Sequence, residues 1–248
     1  MRLPRFFVPP AAWERDRATI TGRDYHHIRH VLRLEAGAKL RLLDGDGRVY
    51  DAVIEKVDRG ALVAVVTGEV PAPPEPPLRL TLVQGLPRRD KMELVIQKAT
   101  EIGVTGIVPL AAARAVPRLD RKAGERRVRW QRIAVEAAEQ CGRSRFPLVG
   151  EISGLAEVVG GLPAGAAGFF LWEGEQATTL KQVLRAGPPR RDVYLFVGPE
   201  GGFTEAEAAR ARAAGLVSVS LGSRILRTET AGLIAAALVL YEWGDLGG

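Results

Sequence analysis

A glycine-rich turn with an acid at its centre carries the first chemistry-bearing residues of the chain. The stretch VGPEGGFTEAE places Glu200 between Pro199 and Gly201. Thr204 and Glu207 have the T-x-x-E spacing of a capping box, which predicts that the following helix satisfies its own first amides. The acids oppose a bound phosphate, and the nucleotide fingerprints GxxxxGK[ST] and GxGxxG do not occur there. The alternative is a turn with a purely structural role. If the turn binds a ligand, its acids predict a ligand that is neutral or positively charged.

A second unusual loop, LGSRILRTETAG, comes just before an apolar helix. Its Arg224 and Arg227 fall at the positively polarised start of that helix, where cations are disfavoured. A cap by Thr228 or Thr230 and a dipole-complementing Glu229 explain the other polar residues, but not the arginines. The Ile-Leu pair in the middle of the loop predicts that the loop folds inward. The loop is therefore a second candidate site.

Alternating strands and helices position these loops. Apolar segments such as LRLTLVQGL, VTGIVPL, AAGFFLWE, RDVYLFVG and LVSVSLG alternate with helical segments such as DKMELVIQKATEIG, which Gly103 is expected to close. This alternation predicts a mainly parallel sheet covered on both faces. Ligands of such sheets bind beyond the carboxyl ends of the strands. Three loops qualify, namely LWEGE, GPEGG and LGSRILRTET.

The N-terminal part has a different pattern. Segments of alternating polarity are separated by DGDG at Asp44–Gly47 and DRG at Asp58–Gly60, which predicts hairpins in a small β-barrel. A helix over DYHHIRHVLRLEAG is expected to end at Gly37. The proline-rich segment VPAPPEPP predicts a stiff connector. The predicted domains are therefore residues 1–70, a linker over 71–77, and residues 78–248.

Composition narrows the functional classes. The 248 residues are 46% hydrophobic and 26% charged, as in a globular protein that folds in water. Cys141 is the single cysteine, so neither an internal disulfide nor a cysteine metal cluster is expected. The absence of an apolar leader and of a long apolar span predicts a cytoplasmic protein with no membrane partner. The net charge is +6 and arginine is concentrated between Arg114 and Arg145, which favours a polyanionic partner.

Both loops resemble those of a known enzyme family. FVGPEGGFTEAE and LGSRILRTETA are similar to motifs of the RsmE family of 16S rRNA uridine N3-methyltransferases, within the SPOUT (trefoil-knot) superfamily. The stretches RFFV, HHIRHVLR, QKATEIGV and EAAEQCGR extend the resemblance over most of the chain. One departure is Ala113 before Arg114, where the family commonly has an acid.

The resemblance implies a PUA-like RNA-binding barrel followed by a SPOUT α/β domain whose knot spans about residues 194–240. It also implies a homodimer and S-adenosylmethionine as cofactor. The implied cofactor residues are Leu171, Trp172, Glu173, Val197, Gly198, Pro199, Glu200, Gly201, Gly202, Leu221, Gly222, Ser223, Ile225, Leu226, Thr230 and Ala231.

The implied reaction is methyl transfer from a sulfonium to N3 of a uridine in 16S rRNA. The N3 nitrogen must lose its proton, and a fixed guanidinium stabilises the resulting anion. We therefore expect Arg227 to be catalytic, with Glu229 as a candidate proton acceptor. The alternative for Glu229 is a helix cap or an ion pair with Arg227. Glu200 is expected to orient its loop or a ligand amine.

RNA contacts are predicted for a set of basic residues: Arg2, Arg5, His26, His27, Arg29, Arg33, Arg88, Arg114, Arg143 and Arg145. His26 and His30 share a helical face, but the surrounding arginines favour RNA contact or packing over a metal, and no metal is expected. Trp130 is expected to be a core residue rather than a base-stacking platform.

Two other functions fit the same residues. One is a non-catalytic RNA-binding factor of ribosome assembly, and the other is a SPOUT enzyme that acts on a ribose 2′-oxygen. Binding of S-adenosylmethionine separates the first from a methyltransferase, and the identity of the methylated nucleoside separates the second.

Overall fold

A computed structural model describes residues 3–115 and 122–247. The chain divides into two compact units. The first runs up to Glu75 and includes Ala138–Phe146, and the second comprises Pro76–Ala137 and the chain from Pro147 onward. Ala138–Phe146 had been expected to belong to the second domain, residues 78–248, and not to the first. The boundaries given above for domains, linker and knot stay a prediction.

The first unit contains a mainly antiparallel sheet. Its strands among the described residues are β1 (Arg5–Phe7), β2 (Trp13–Glu14), β3 (Arg17–Thr21), β4 (Lys39–Leu43), β5 (Val49–Asp58) and β6 (Ala61–Val70). They lie in the order β1-β4-β5-β6-β3-β2, and β1 pairs with β4 in parallel. The side chains on one face, including Phe6, Leu40, Leu42 and Ile54, form a buried core.

The predicted hairpins are confirmed. Between β4 and β5, the Asp44 carboxylate accepts hydrogen bonds from the N–H groups of Asp46 and Arg48, at 2.8 and 3.0 Å. Between β5 and β6, Gly60 has a positive φ of 81°, a conformation that costs glycine little. Local turn chemistry therefore determines both connections.

The predicted helix of the first unit ends earlier than expected. It consists of α1 (Gly22–His26) and a π-helical turn over His27–Val31, so the expected end at Gly37 is wrong. Arg33 has a left-handed φ of 54°, which breaks the helical path. The Leu34 N–H then bonds to the Ile28 carbonyl at 3.0 Å and closes the helix end.

Residues Ala138–Phe146 contact the first strand of this unit. Glu139 accepts a hydrogen bond from the Phe7 N–H at 2.8 Å, and the rings of Phe7 and Phe146 meet edge to face at 4.9 Å. Arg143 pairs with Glu75 at 2.6 Å. These contacts explain why the segment belongs to the first unit.

The second unit is built on a parallel sheet, as predicted. Its strands among the described residues are β7 (Arg79–Gly85), β8 (Gly106–Leu110), β9 (Leu148–Val149), β10 (Ala167–Leu171), β11 (Asp192–Val197) and β12 (Val217–Val219). They lie in the order β12-β10-β11-β7-β8-β9. All of their pairings are parallel.

Helices and apolar side chains cover both faces of this sheet. The helices are α2 (Lys91–Ile102), α3 (Ala123–Cys141), α4 (Leu155–Gly160), α5 (Leu180–Ala186), α6 (Glu205–Ala213) and α7 (Thr228–Trp243). One cluster contains Leu80 and Leu82, with Trp130 buried in it as predicted, and the other contains Phe170 and Phe196. Gly103 closes α2 with a φ of 119°, which confirms the predicted cap.

Candidate active site

The three predicted loops follow adjacent strands of the parallel sheet. Leu171, the last residue of β10, pairs in register with Val197 of β11 and with Val219 of β12. Val197 in turn lies opposite Gln84 of β7. The loops after these strands therefore begin at the same edge of the sheet, where its ligands are expected.

The glycine turn after β11 packs against the loop after β10. Gly202 has a φ of 65°, and a Cβ there would lie 3.1 Å from Oε1 of Glu173. A Cβ on Gly198 would lie 3.1 Å from the backbone of Gly202 and Phe203. The turn thus needs glycine for its backbone conformation and for its close contacts.

The helix that follows this turn is capped by its own side chains, as predicted. The Thr204 N–H donates to Oε2 of Glu207 at 2.8 Å, and the Glu207 N–H donates to the Thr204 hydroxyl at 3.2 Å. The other oxygen of Glu207 accepts from the Ala113 N–H at 2.9 Å, which sequence reasoning did not predict. Glu207 therefore joins the loop after β8 to the start of α6. This leaves the helix start poorly suited to bind an anion.

A buried hydrogen-bond chain connects the glycine turn to the start of α7. Nε2 of Gln84 donates to the Thr228 hydroxyl at 2.8 Å, and that hydroxyl donates to the Gly198 carbonyl. Gln84 is fully buried, and its Oε1 has no hydrogen-bond partner among the described residues. A Cβ on Gly232 would lie 2.9 Å from that oxygen, so glycine allows α7 to approach β7. The only signal for Gln84 in the sequence is its position as a polar residue in an apolar strand.

The two predicted catalytic residues lie at the start of α7. Arg227 is the N-cap residue, and its carbonyl accepts from the N–H groups of Thr230 and Ala231. The side chain of Glu229 is only 13% exposed and lies 3.1 Å from Nζ of Lys91. Burial opposes ionisation of Glu229. Its own backbone N–H, the hydrogen bond from Lys91 and the charges of Lys91 and Arg227 outweigh burial and hold the pKa of this carboxyl below its usual value.

Lys91 also approaches Glu200. Its Nζ lies 3.5 Å from Oε1 of Glu200, which accepts a 2.9 Å hydrogen bond from the Arg88 N–H. Glu200 therefore contacts the loop before α2, and its role in orienting its own loop or a ligand amine stays a prediction. Sequence reasoning missed Lys91. The available signal was a cation at the first residue of a helix, the same anomaly that identified Arg224 and Arg227.

The Ile-Leu pair of the third loop does not fold inward as expected. Ile225 is 88% exposed, while Leu226 is partly buried. Gly222 has a φ of 113°, and its N–H bonds to the Ser220 hydroxyl at 3.0 Å. The loop therefore turns back close to the end of β12, which leaves the Ile225 side chain outside the core of this chain.

The basic residues predicted to contact RNA fall into two groups. In the second unit, Arg114 donates to the Gly201 carbonyl at 2.9 Å, and the N–H of the exposed Arg88 donates to Glu200. Ala113, the departure from the family pattern, uses its N–H to bond Glu207. Both arginines therefore flank the glycine turn.

The other described basic residues belong to the first unit. Arg5, Arg29 and Arg145 donate to backbone carbonyls, and Arg143 pairs with Glu75. His26, His27 and Arg33 are exposed. Arg2 lies outside the described residues. The rings of His26 and His30 lie 4.6 Å apart, and residues 3–115 and 122–247 contain no group of side chains arranged to hold a metal ion.

Comparison with known proteins identifies the family. A family model described as an RNA methyltransferase domain matches residues 74–240, and one described as an RNA methyltransferase PUA domain matches residues 20–67. The chain is 32% identical to ribosomal RNA small subunit methyltransferase E of Bacillus subtilis (strain 168), over 97% of both chains. The chain belongs to the ribosomal RNA small subunit methyltransferase E family. This confirms the predicted resemblance and the predicted fold class.

Two solved structures of similar proteins contain S-adenosylmethionine. The small subunit methyltransferase E of Neisseria gonorrhoeae is 33% identical, with a TM-score of 0.89 over 98% of this chain and 99% of that one. A putative methyltransferase of Legionella pneumophila is 31% identical, with a TM-score of 0.90 over 99% of this chain and 100% of that one. Every helix in the described part of this methyltransferase E family member is too short or too polar to cross a bilayer.

Proposed function

We propose that the protein transfers the methyl group of S-adenosylmethionine to N3 of a uridine in 16S rRNA. The observation that carries the proposal is the meeting of three loops at one sheet edge. The buried contact from Thr228 to Gly198 and the packing of Gly202 against Glu173 join these loops. The chain's membership of an rRNA methyltransferase family and the cofactor in two similar structures support the same conclusion.

The residues around the glycine turn fit S-adenosylmethionine. Gly198 and Gly202 lie too close to neighbouring atoms to carry a side chain, and Gly202 and Gly222 take positive φ. We therefore propose that backbone rather than side chains lines the cofactor site at these positions. When bound, the cofactor supplies an electrophilic methyl group on a positively charged sulfonium. The self-capped helix after the turn does not select for an anion. The proposed cofactor residues are those named above from the family resemblance, between Leu171 and Ala231.

Arg227 is the proposed catalytic residue. It is exposed and caps α7, at the end of the third loop. Its guanidinium stabilises the negative charge that loss of the N3 proton to water places on the uracil oxygens. Glu229 is paired with Lys91, and its lowered pKa makes it a weak proton acceptor. The structure therefore favours an ion-pair role for Glu229, with Lys91 as the partner and not Arg227 as in the alternative given above.

RNA contacts are proposed in each unit by itself. Arg88 and Arg114 beside the glycine turn would place the target strand near the methyl donor. His26, His27 and Arg33 of the first unit are exposed and available to phosphates. Because rRNA is the substrate, we propose that the protein acts in the cytoplasm.

A homodimer is also proposed. Ile234, Leu238 and Tyr241 are exposed on one side of α7, at 44%, 39% and 64%, and Leu94 of α2 is 46% exposed. Helices α2 and α7 pack against each other, so these side chains are apolar surface that a second copy of the chain would cover. Sedimentation at increasing protein concentration tests this, and a monomer at all concentrations would contradict it.

Two measurements test the proposed function. Calorimetry with S-adenosylmethionine should show binding; no binding at millimolar cofactor would favour a non-catalytic assembly factor. Incubation with radiolabelled cofactor and either free 16S rRNA or small ribosomal subunits should transfer label to the RNA. Comparison of the two substrates also identifies the form of the RNA that the enzyme accepts.

A further inference from the structure

One ammonium group joins two parts of the candidate active site. Lys91 is the first residue of α2, and its Nζ lies 3.1 Å from Oε1 of Glu229 and 3.5 Å from Oε1 of Glu200. Glu229 belongs to the first turn of α7 and Glu200 to the glycine turn after β11. The side chain of Lys91 is only 35% exposed, so this contact is less screened by solvent than a pair on an open surface.

Lys91 is one of several charged groups around Glu229. The facing groups are Lys91 of α2, Arg227 at the end of the preceding loop and, across Lys91, Glu200 of the glycine turn. β7 contributes the neutral Gln84, which bonds to Thr228. Lys91 contacts both carboxylates, so without it Glu229 and Glu200 would share no cation. Loss of a neighbouring cation makes a carboxylate easier to protonate, and here it also removes the link between the first turn of α7 and the glycine turn.

We propose that Lys91 is a positioning residue of the methyl transfer reaction, which holds the first turn of α7, with Arg227, against the glycine turn through its contacts with Glu229 and Glu200. This inference rests on the proposed function. Its consequence is that Glu229 acts as a charged anchor for the catalytic arginine, and that Lys91 acts on turnover through Glu229.

Two other roles for Lys91 give different results. A surface ion pair of no functional consequence would make Lys91→Met behave like Lys98→Met. Lys98 lies on the same helix and pairs with Glu101 at 2.8 Å, which makes it the matched control. If Lys91 instead contacts an RNA phosphate directly, Lys91→Met should raise KM for RNA and weaken the dependence of KM on salt, while kcat and its pH profile stay unchanged.

The experiment compares Lys91→Met, Lys91→Arg, Glu229→Gln and Lys98→Met with the wild type. The measurements are kcat, KM for RNA and for S-adenosylmethionine, and the pH profile of kcat. Lys91→Met should lower kcat roughly ten- to a hundred-fold, the range expected for a misplaced catalytic group. The acidic limb of the kcat–pH profile of Lys91→Met should move to higher pH, because Glu229 then takes up a proton more readily. Lys91→Arg should restore the limb and most of kcat, and Lys98→Met should match the wild type.

A double variant shows whether Lys91 acts through Glu229. Adding Lys91→Met to Glu229→Gln should change kcat by less than two-fold; a full additional loss would overturn the inference. A Lys91→Met profile that coincides with the wild type, or a Lys91→Arg variant as slow as Lys91→Met, would also overturn it.

If Lys91→Met does not fold, the remaining variants still test the inference. Lys91→Arg should keep the acidic limb of the wild-type kcat–pH profile, and Glu229→Gln should lose that limb. Any other result contradicts the inference. Failure of the proposed function is seen separately, as the wrong methylated nucleoside or no product from the wild type.

Discussion

Gln84 and Thr228 form a buried hydrogen bond of 2.8 Å although 144 residues separate them in the chain. The Thr228 hydroxyl accepts this bond and donates to the Gly198 carbonyl. A single side chain therefore connects the central strand β7, the glycine turn and the first residue of α7. The shape of the proposed cofactor site depends on this connection, because the glycine turn begins at Gly198 and the third loop ends beside Thr228.

The Thr228→Ala variant should lose stability and cofactor affinity together. It leaves the buried Nε2 of Gln84 with one acceptor fewer, which costs about 1–3 kcal/mol of unfolding free energy. It also frees the glycine turn, so S-adenosylmethionine should bind more weakly. Urea unfolding and calorimetry measure the two effects. Thr228→Ser should retain both properties, and Thr67→Ala, at an exposed hydroxyl, should change the unfolding free energy by less than about 0.5 kcal/mol.

Gly85→Ala should disturb the glycine turn from the neighbouring strand. A Cβ at this position would lie 2.5 Å from the backbone nitrogen of Pro199, so the turn must shift. We expect at least a ten-fold loss of S-adenosylmethionine affinity, because a shift of the turn moves its backbone groups away from the ligand. Gly187→Ala is the control, since a Cβ there meets nothing within 4 Å. Equal affinities of the two variants would contradict the proposed cofactor site.

Arg227→Ala should strongly lower kcat while cofactor binding remains. The expected loss in kcat is about 10²–10³-fold, the range for removal of one group that stabilises a developing anion. Arg210→Ala on the exposed side of α6 is the control and should leave kcat unchanged. Single-turnover methyl transfer and calorimetry separate the two properties. Normal turnover in Arg227→Ala would remove the proposed catalytic assignment.

Glu139 should make the protein less stable as the pH rises. Burial raises the pKa of this carboxyl to about 7, against the opposing hydrogen bond from the Phe7 N–H. Between pH 4.5 and 7 the folded state therefore binds more protons than the unfolded state, and stability falls with rising pH over this interval. The expected loss is on the order of 2–3 kcal/mol.

The Glu139→Gln variant isolates that contribution. Glutamine keeps an acceptor for the Phe7 N–H and stays neutral, so the variant should be less sensitive to pH than the wild type. Urea unfolding at pH 5, 6, 7 and 8 compares the two proteins. Parallel curves, with a constant difference in unfolding free energy, would show that Glu139 ionises normally in the folded state.

Local signals in the sequence predicted much of the fold. The cap at Gly103, the capping box of Thr204 and Glu207 and the two hairpins each depend on residues a few positions apart. The alternation of strands and helices likewise predicted the parallel sheet and the edge at which the loops meet. Such features form by short-range chemistry, so spacing alone is enough to identify them.

The contacts that build the candidate site could not be predicted from local spacing in the sequence. Gln84, Lys91 and Glu139 acquire their roles from partners 144, 138 and 132 residues away. The expectation that Ile225 folds inward was wrong. An apolar side chain favours burial, but its type does not show which other part of a protein covers it. The helix end near Arg33 was missed because that arginine adopts a φ more typical of glycine.

The most direct test of the central claim is the identity of the methylated nucleoside. Small ribosomal subunits and free 16S rRNA are incubated with the protein and labelled S-adenosylmethionine, and the RNA is digested and separated against standards. The proposed function predicts label in N3-methyluridine, and its loss with Arg227→Ala. Label in a 2′-O-methylated nucleoside, or none in either RNA, would contradict it.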